Sequence, residues 1–199
     1  MNDFWNERYV QKDYAYGIQP NDFLVESISK LPENGKILFP AEGEGRNAVF
    51  AAKNRFEVYA FDTSSEGKKK AAKLAKEYDV NMDYQVGVLE ELNFEEVSFD
   101  GVACIYAHFP KAIRKVMHQQ ILKLLKPNGI VIFEAFSKEQ IQYSSGGPKD
   151  IAMLFSEDEV KEEFQGITFD FLKTEIIELN EGAFHQGKGS VVRFIGTKE

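Results

Sequence analysis

The feature that most constrains the fold is an alternation. Five short apolar runs are each followed by a stretch with helical character. The runs are KILFP (36–40), FEVYAFD (56–62), MDYQVGV (82–88), FDGVACIYAHF (99–109) and IVIFEAF (130–136). The fourth is almost continuously apolar, as suits a strand covered on both faces. Between them lie GRNAVFAAKN and SSEGKKKAAKLAKEYDV (64–80), the second opening on serine caps. PKAIRKVMHQQILKLLKPNG places Ile113, Val116, Met117, Ile121, Leu124 and Leu125 at helical spacing. Pro110 suits its first turn, and Pro-Asn-Gly (127–129) punctuates its far end. SEDEVKEEF (156–164) reads as a further helix with a serine cap and an acidic first turn.

The rhythm then changes. ITFDFLKTEIIEL (167–179) and GSVVRFIGTK (189–198) are two strand patterns with no helix between them, joined by NEGAFHQGKG. They predict an antiparallel hairpin. The whole predicts an α/β fold: a doubly wound, mostly parallel seven-stranded sheet ending in that hairpin. A single domain over 1–199 is expected, with residues 1–35 as an aromatic N-terminal cap and helix. Sheets of this kind bind ligands at the carboxyl ends of their strands.

Composition narrows the partners. Asp and Glu number 32 against 24 Lys and Arg, a net charge of −8. Such a surface disfavours a phosphate backbone, so no nucleic-acid partner is expected. The lone cysteine, Cys104, excludes an internal disulfide and reads as a small buried hydrophobe. No His/Cys/Asp/Glu set has metal-ligand spacing, so no metal is expected. The opening MNDFWNERY has no leader character, and no apolar stretch reaches membrane length. A cytoplasmic protein without membrane contact is the expectation. Lys68, Lys69, Lys70, Lys73 and Lys76 read as the solvated face of one helix.

Between the first strand and first helix lies GEGRNA, a G-x-G-x-x-A pattern. Gly43 and Gly45 permit a tight turn and close approach of a ligand. The helix start behind them offers N–H groups to an anion. Asp62 follows Gly43 by 19 residues, at the end of the second strand, where a carboxylate can take both hydroxyls of a ribose. A plain left-handed turn with a surface aspartate is the structural alternative. Two ligands fit this arrangement, a nicotinamide dinucleotide or S-adenosylmethionine. No tyrosine is followed four residues later by lysine, and the closing hairpin favours the methyl donor.

Over roughly residues 20–198 the chain resembles the class I S-adenosylmethionine-dependent methyltransferases, and among them the small bacterial tellurite-resistance and thiopurine-methyltransferase-like enzymes. AEGEGRNAVFAA resembles their glycine-rich motif and VYAFDTSSEGKKKA their ribose-binding segment. FDGVACIYAHFP resembles the fourth-strand motif, LLKPNGIVIFEAF the entry to the fifth strand, and YAYGIQPNDFLVE the N-terminal cap. The chain departs from the family pattern at Phe39, Ala41 and Val88, where an acid, a glycine and a second acid are usual. The resemblance implies a Rossmann-like methyltransferase fold with S-adenosylmethionine as cofactor. It implies that Ala41, Glu42 and Gly43 line the methionine part and that Asp62 holds the ribose. Thr63, Leu89 and Glu90 would flank the adenine. Tyr106 would sit under the sulfonium, where an aromatic face favours a cation, and Tyr16 and Gly17 would close over the site.

Methyl transfer from a sulfonium needs alignment first, and a base only where the nucleophile holds a proton tightly. His108, two residues past Tyr106, is the best base or substrate contact. His118 reads as a surface or interhelical residue, and His185 as a loop residue able to reach the strand ends. The Pro-Pro-aromatic grip of base-methylating enzymes is missing from AHFP. A small-molecule methyl acceptor is therefore expected, with a thiol or metalloid oxyanion consistent with the sparse base machinery. A non-catalytic nucleotide-binding module is the alternative, and a small NAD-dependent oxidoreductase a lesser one. The acceptor's identity and the oligomeric state stay open.

Overall fold

The structure, a computed structural model, describes residues 2–199. Seven strands form one sheet: β1 (Lys36–Pro40), β2 (Glu57–Asp62), β3 (Asp83–Val86), β4 (Phe99–Ile105), β5 (Leu125–Phe136), β6 (Ile167–Glu181) and β7 (His185–Lys198). Their order is β3-β2-β1-β4-β5-β7-β6. The five strands β1 to β5 run parallel, and β7 pairs antiparallel with both β5 and β6. The helices are α1 (Asn2–Tyr9), α2 (Asp22–Ser27), α3 (Arg46–Lys53), α4 (Ser65–Glu77), α5 (Lys111–Leu124) and α6 (Glu157–Glu163).

The sheet is buried on both faces because its strands are apolar at successive positions. Ile37 and Phe39 face one core with Val58, Ala60, Phe23 of α2, Ala48 of α3 and Ala71 of α4. Leu38 faces the other with Phe99, Phe133 and Phe194, against Met117 and Ile121 of α5 and Val160 of α6. Cys104 lies in that second core with no exposed surface. The caps follow the sequence. Ser64 accepts the Gly67 N–H, and Ser156 with Glu159 closes a capping box on α6. Asn21 caps α2 by accepting the Leu24 N–H.

Two features differ from the sequence expectation, and one open choice is decided. The segment NEGAFHQGKG is mostly strand: pairing continues to Glu181↔His185, so only residues 182–184 turn. The tip thus projects beyond the carboxyl edge of the parallel strands, where Phe136 of β5 already pairs with Val191 of β7. Lys70 leaves the solvated face of α4, because its ammonium reaches the buried Glu44 carboxylate at 2.7 Å and the Asp13 carbonyl at 2.6 Å. His118 is interhelical and wholly buried, its Nδ1–H donating to Glu163 Oε2 at 3.0 Å.

Glu163 also accepts from Arg114, a side chain with no exposure, through Nε at 2.9 Å and Nη2 at 2.7 Å. Arg114 Nη1 donates to the Leu154 carbonyl at 3.0 Å. This ion cluster joins α5 to α6. Removing one partner of a buried pair strands the other charge, so Arg114→Ala should destabilise the fold by about 3–5 kcal/mol. Urea denaturation of the variant measures that loss.

Candidate active site

The carboxyl edge of the sheet gathers the loops after β1, β2, β3 and β4. After β1 the chain turns through left-handed residues: Ala41 at φ 51°, Gly43 at φ 64° and Gly45 at φ 88°. A side chain at Gly45 would drive into Ala71 of α4, since a Cβ there would lie 2.5 Å from its methyl. Ala41 takes the same hand despite its Cβ, a strained choice. Asp62, buried at the end of β2, accepts the Gly43 N–H (3.0 Å) and the Ser64 N–H (2.8 Å). Burial nonetheless raises its carboxyl above the ordinary aspartate value. The glycine loop and the distant acid are therefore in direct contact, as their spacing implied. Thr63 follows Asp62, half-buried, while Leu89 is buried and Glu90 exposed in the turn after β3.

Glu42 behaves differently from a ligand-facing acid. Its Oε1 accepts the Asn47 and Ala48 N–H groups at 2.9 and 2.8 Å. Two of the N–H groups that the sequence offered to an anion at the start of α3 are thus taken by the chain itself. Burial pushes the Glu42 carboxyl up to about 7, against those two bonds and the nearby Arg46.

The N-terminal segment lies across this edge. Glu44 Oε2 accepts the Ala15 N–H at 2.8 Å. Asn6 of α1 accepts from the Ser64 hydroxyl at 2.7 Å. Tyr9 lies against the glycine loop: a Cβ on Gly43 would sit 2.6 Å from its hydroxyl. Tyr16 receives a hydrogen bond from Arg8 at 3.0 Å and packs on His185, ring centres 4.5 Å apart. Gly17 abuts Gly182 of the hairpin turn, so closely that a side chain at Gly182 would meet the Gly17 nitrogen at 2.4 Å.

Past β4, Tyr106 also has a left-handed backbone, φ 53°. Its ring stacks on Phe136 at 4.7 Å and meets His185 edge-on at 4.8 Å. Its hydroxyl is buried without a hydrogen-bond partner among the described residues. His108 stacks on Phe136 at 5.9 Å. Its Nδ1 contacts the Met153 carbonyl at 3.2 Å, which fixes the proton there, and its Nε2 is buried and unpartnered among the described residues. Burial pulls this imidazole down to about 4, with the Met153 bond offsetting only part of the loss.

The sequence reading missed a polar hub beside these aromatic rings. Glu134 of β5 has no exposed surface. It accepts from Asn21 Nδ2 at 2.7 Å and from Arg193 Nε, its register partner on β7. Asn21 donates its backbone N–H to Asn47 at 2.9 Å and Nδ2 also to Glu181 at 3.1 Å. Arg46 bridges to Glu181 at 3.0 Å and to the Gln19 carbonyl at 3.2 Å. Glu181 also accepts from His185 Nδ1 at 2.8 Å. The visible signals were a lone acid in IVIFEAF and a lone arginine in GSVVRFIG. Beside the hub lies a cavity of about 330 Å³ lined by Tyr16, Asn21, Arg46, Leu179, Glu181 and Arg193.

Against known proteins, residues 37–129 match the family model described as a methyltransferase domain. Over that segment the chain is similar to methyltransferase domains. The carboxyl-edge acid, the glycine turn and the unpartnered Tyr106 hydroxyl fit S-adenosylmethionine as the cofactor. The chain is 26% identical over 167 residues to a tRNA (uracil(54)-C(5))-methyltransferase of Pyrococcus abyssi, covering 76% of this chain but 38% of that one. It is 29% identical over 138 residues to a ubiquinone/menaquinone biosynthesis C-methyltransferase of Geotalea daltonii, covering 65% of this chain and 57% of that one. Among solved structures, TehB from Haemophilus influenzae superposes with a TM-score of 0.71 at 15% identity, over 100% of this chain and 67% of that one. That likeness is one of fold. The methyltransferase domain sets the nicotinamide alternative aside.

Glu42 gives this edge a pH signature. Its folded value lies above the unfolded one, so its stabilising contribution is complete below about 4.5 and is lost as pH rises through about 7. The loss is on the order of 3 kcal/mol. Urea midpoints at pH 5 and pH 8 should differ less in Glu42→Gln than in the native protein.

Proposed function

We propose that the domain transfers the methyl group of S-adenosylmethionine to a small molecule held beneath the hairpin tip. The observation that carries the reading is the Gly43–Asp62 contact at 3.0 Å, which couples the glycine turn to the acid at one edge of the sheet. In this reading Asp62 takes the ribose hydroxyls with the lone pairs its two backbone donors leave free. Thr63, Leu89 and Glu90 flank the adenine, and Ala41, Gly43 and the backbone of Glu42 line the methionine part, the Glu42 carboxylate being engaged on α3. Tyr106 lies under the sulfonium, and Tyr16 and Gly17 close the entrance on the acceptor side. The cofactor supplies an activated methyl, so the protein's task is to align the acceptor for in-line displacement and to exclude water. His108, its proton held toward Met153, contacts the acceptor through Nε2.

A small acceptor is favoured by the size of the cavity, which lies at the lower end of the range of small-molecule sites. Nucleic acid is disfavoured by charge. Asp22, Glu26, Glu178 and Glu181 line the cavity, and its arginines are already paired: Arg46 with Glu181, and Arg193 with Glu134 and Glu175. Tyr9 on Gly43 supports a second reading, a nucleotide-binding module that does not turn over. The first reading requires α1 to yield when the adenosine enters.

Calorimetry with S-adenosylhomocysteine should show micromolar-range binding. Asp62→Ala should weaken it by about 1–3 kcal/mol, the loss of hydrogen bonds to a buried charge. Unchanged affinity in the variant would remove the ribose assignment. A screen with methyl-labelled donor against phenols, thiols, selenite, tellurite and small amines separates the enzyme from the module, which would label none of them.

A further inference from the structure

The acceptor's chemistry depends on whether the site holds a base. His108 is poorly suited. No carboxylate backs its ring: Nδ1 bonds a neutral carbonyl, and burial pulls it down to about 4.

His185, on the hairpin tip, is arranged otherwise. Its Nδ1–H donates to Glu181 Oε2 at 2.8 Å, which leaves Nε2 as the acceptor nitrogen. Glu181 is itself oriented, because Oε1 accepts from Arg46 at 3.0 Å and from Asn21 at 3.1 Å. Burial opposes its charge, but the His185 bond and Arg46 outweigh that and hold the carboxyl down at about 2. The imidazole is 4% exposed, set between Tyr16, Tyr106 and Phe136 at 4.5, 4.8 and 5.1 Å. On its Nε2 side the wall is glycine. A Cβ at Gly146 would come within 3.3 Å of Nε2 and 2.6 Å of Cδ2. Nothing in the sheet or the hairpin requires so buried a carboxylate–imidazole pair at a turn. Its ring meets the edge of Tyr106, the residue read above as lying under the sulfonium.

We propose that the Glu181–His185 pair takes the proton of an acidic hydroxyl as it is methylated, so that the acceptor is an oxygen nucleophile of the phenol or enol class. This rests on the methyltransferase reading above. The hydroxyl oxygen forms the bond to the methyl carbon as the carbon–sulfur bond breaks and its electron pair returns to sulfur. The hydroxyl proton passes to His185 Nε2, and the Glu181 carboxylate balances the imidazolium. A thiolate or a metalloid oxyanion would need no such pair. The groups facing the imidazole set its titration: Glu181 on the hairpin favours the proton, and Arg46 of α3, Arg8 of α1 and the neighbouring His108 oppose it, with Tyr16 and Tyr106 neutral around it. Burial is the largest influence and lowers the imidazole below its ordinary value, which suits a base that releases its proton after each turnover.

The test uses the native protein and two ligands that differ by one charge: S-adenosylhomocysteine, neutral at sulfur, and sinefungin, with an ammonium-bearing carbon in that place. Imidazole ¹⁵N resonances are followed from pH 8 to pH 4, with His185 assigned from the His185→Gln spectrum. The expected result is a neutral His185 protonated on Nδ1 in both complexes, and a midpoint about one pH unit lower with sinefungin, from like-charge repulsion across the short gap. Equal midpoints in the two complexes overturn the proposal. So does a His185 that stays unprotonated to pH 4 in the neutral complex, because such a ring cannot take the proton. If calorimetry shows neither ligand bound, the methyltransferase reading itself falls.

Discussion

Glu134 is a carboxylate without exposed surface in the middle of a sheet, and the arrangement of the site depends on how that charge is satisfied. A lone buried carboxylate would be untenable. Burial does raise its carboxyl above the usual range, although Arg193 and Asn21 pull the other way. Arg193 is opposite it only because β7 returns antiparallel to β5 in the register Glu134↔Arg193. Asn21 reaches it only because the N-terminal segment crosses the carboxyl edge. A register slip of one residue in β7 would turn Arg193 to the other face and strand the acid. The pair therefore selects one register of the hairpin, which in turn sets how far its tip projects and what lies beneath it.

The same hub ties α2, α3, β5, β6 and β7 together by polar contacts, beside the core that Phe23, Ala48, Ile132 and Ile195 share. Asn21 caps α2 with its side-chain oxygen, donates its backbone N–H to Asn47 of α3 and shares its amide between Glu134 and Glu181. Arg46, the first residue of α3, completes the ring to Glu181. Each of these side chains has its donors or acceptors answered by another, which is what a buried polar network needs to favour one geometry. The glycine turn between β1 and α3 is thus fixed at both ends, by Asp62 on one side and by Arg46 and Asn47 on the other.

Much of this was legible in the sequence. The alternation of apolar runs and helical periods gave strand and helix identities, the absence of a helix between the last two runs gave the hairpin, and the 19-residue step from Gly43 to Asp62 gave a contact that the fold makes at 3.0 Å. What was not legible depends on register and reach. NEGAFHQGKG is polar and holds three glycines, loop composition by any local rule, yet pairing with its own partner strand carries it to the tip. His185 moves from a loop to a buried position for that reason. Lys70 was misjudged, and His118 left open between surface and interhelical, because their partners, Glu44 and Glu163, lie 26 and 45 residues away in the chain. Glu42 was read from its place in the motif, and its carboxylate instead supplies the cap that Gly45, lacking a side chain, cannot give to α3.

Two of the seven non-glycine residues with a left-handed backbone, Ala41 and Tyr106, lie at the ends of neighbouring strands β1 and β4, the pair at which the sheet order reverses. That crevice is where a doubly wound sheet opens. Strain of this kind, about 1–3 kcal/mol for each residue, persists only where the surroundings over-determine the backbone. At Tyr106 the surroundings are visible. The ring is stacked on Phe136, its amide donates to the Glu134 carbonyl at 2.7 Å, and His185 closes its edge. The left-handed turn breaks the alternation of β4 and sets the ring at the strand ends, against Phe136 and the margin of the Ile37–Phe39 core. The strand that carries the buried carboxylate thus also aims the ring, so β5 fixes the hairpin above the crevice and the tyrosine within it.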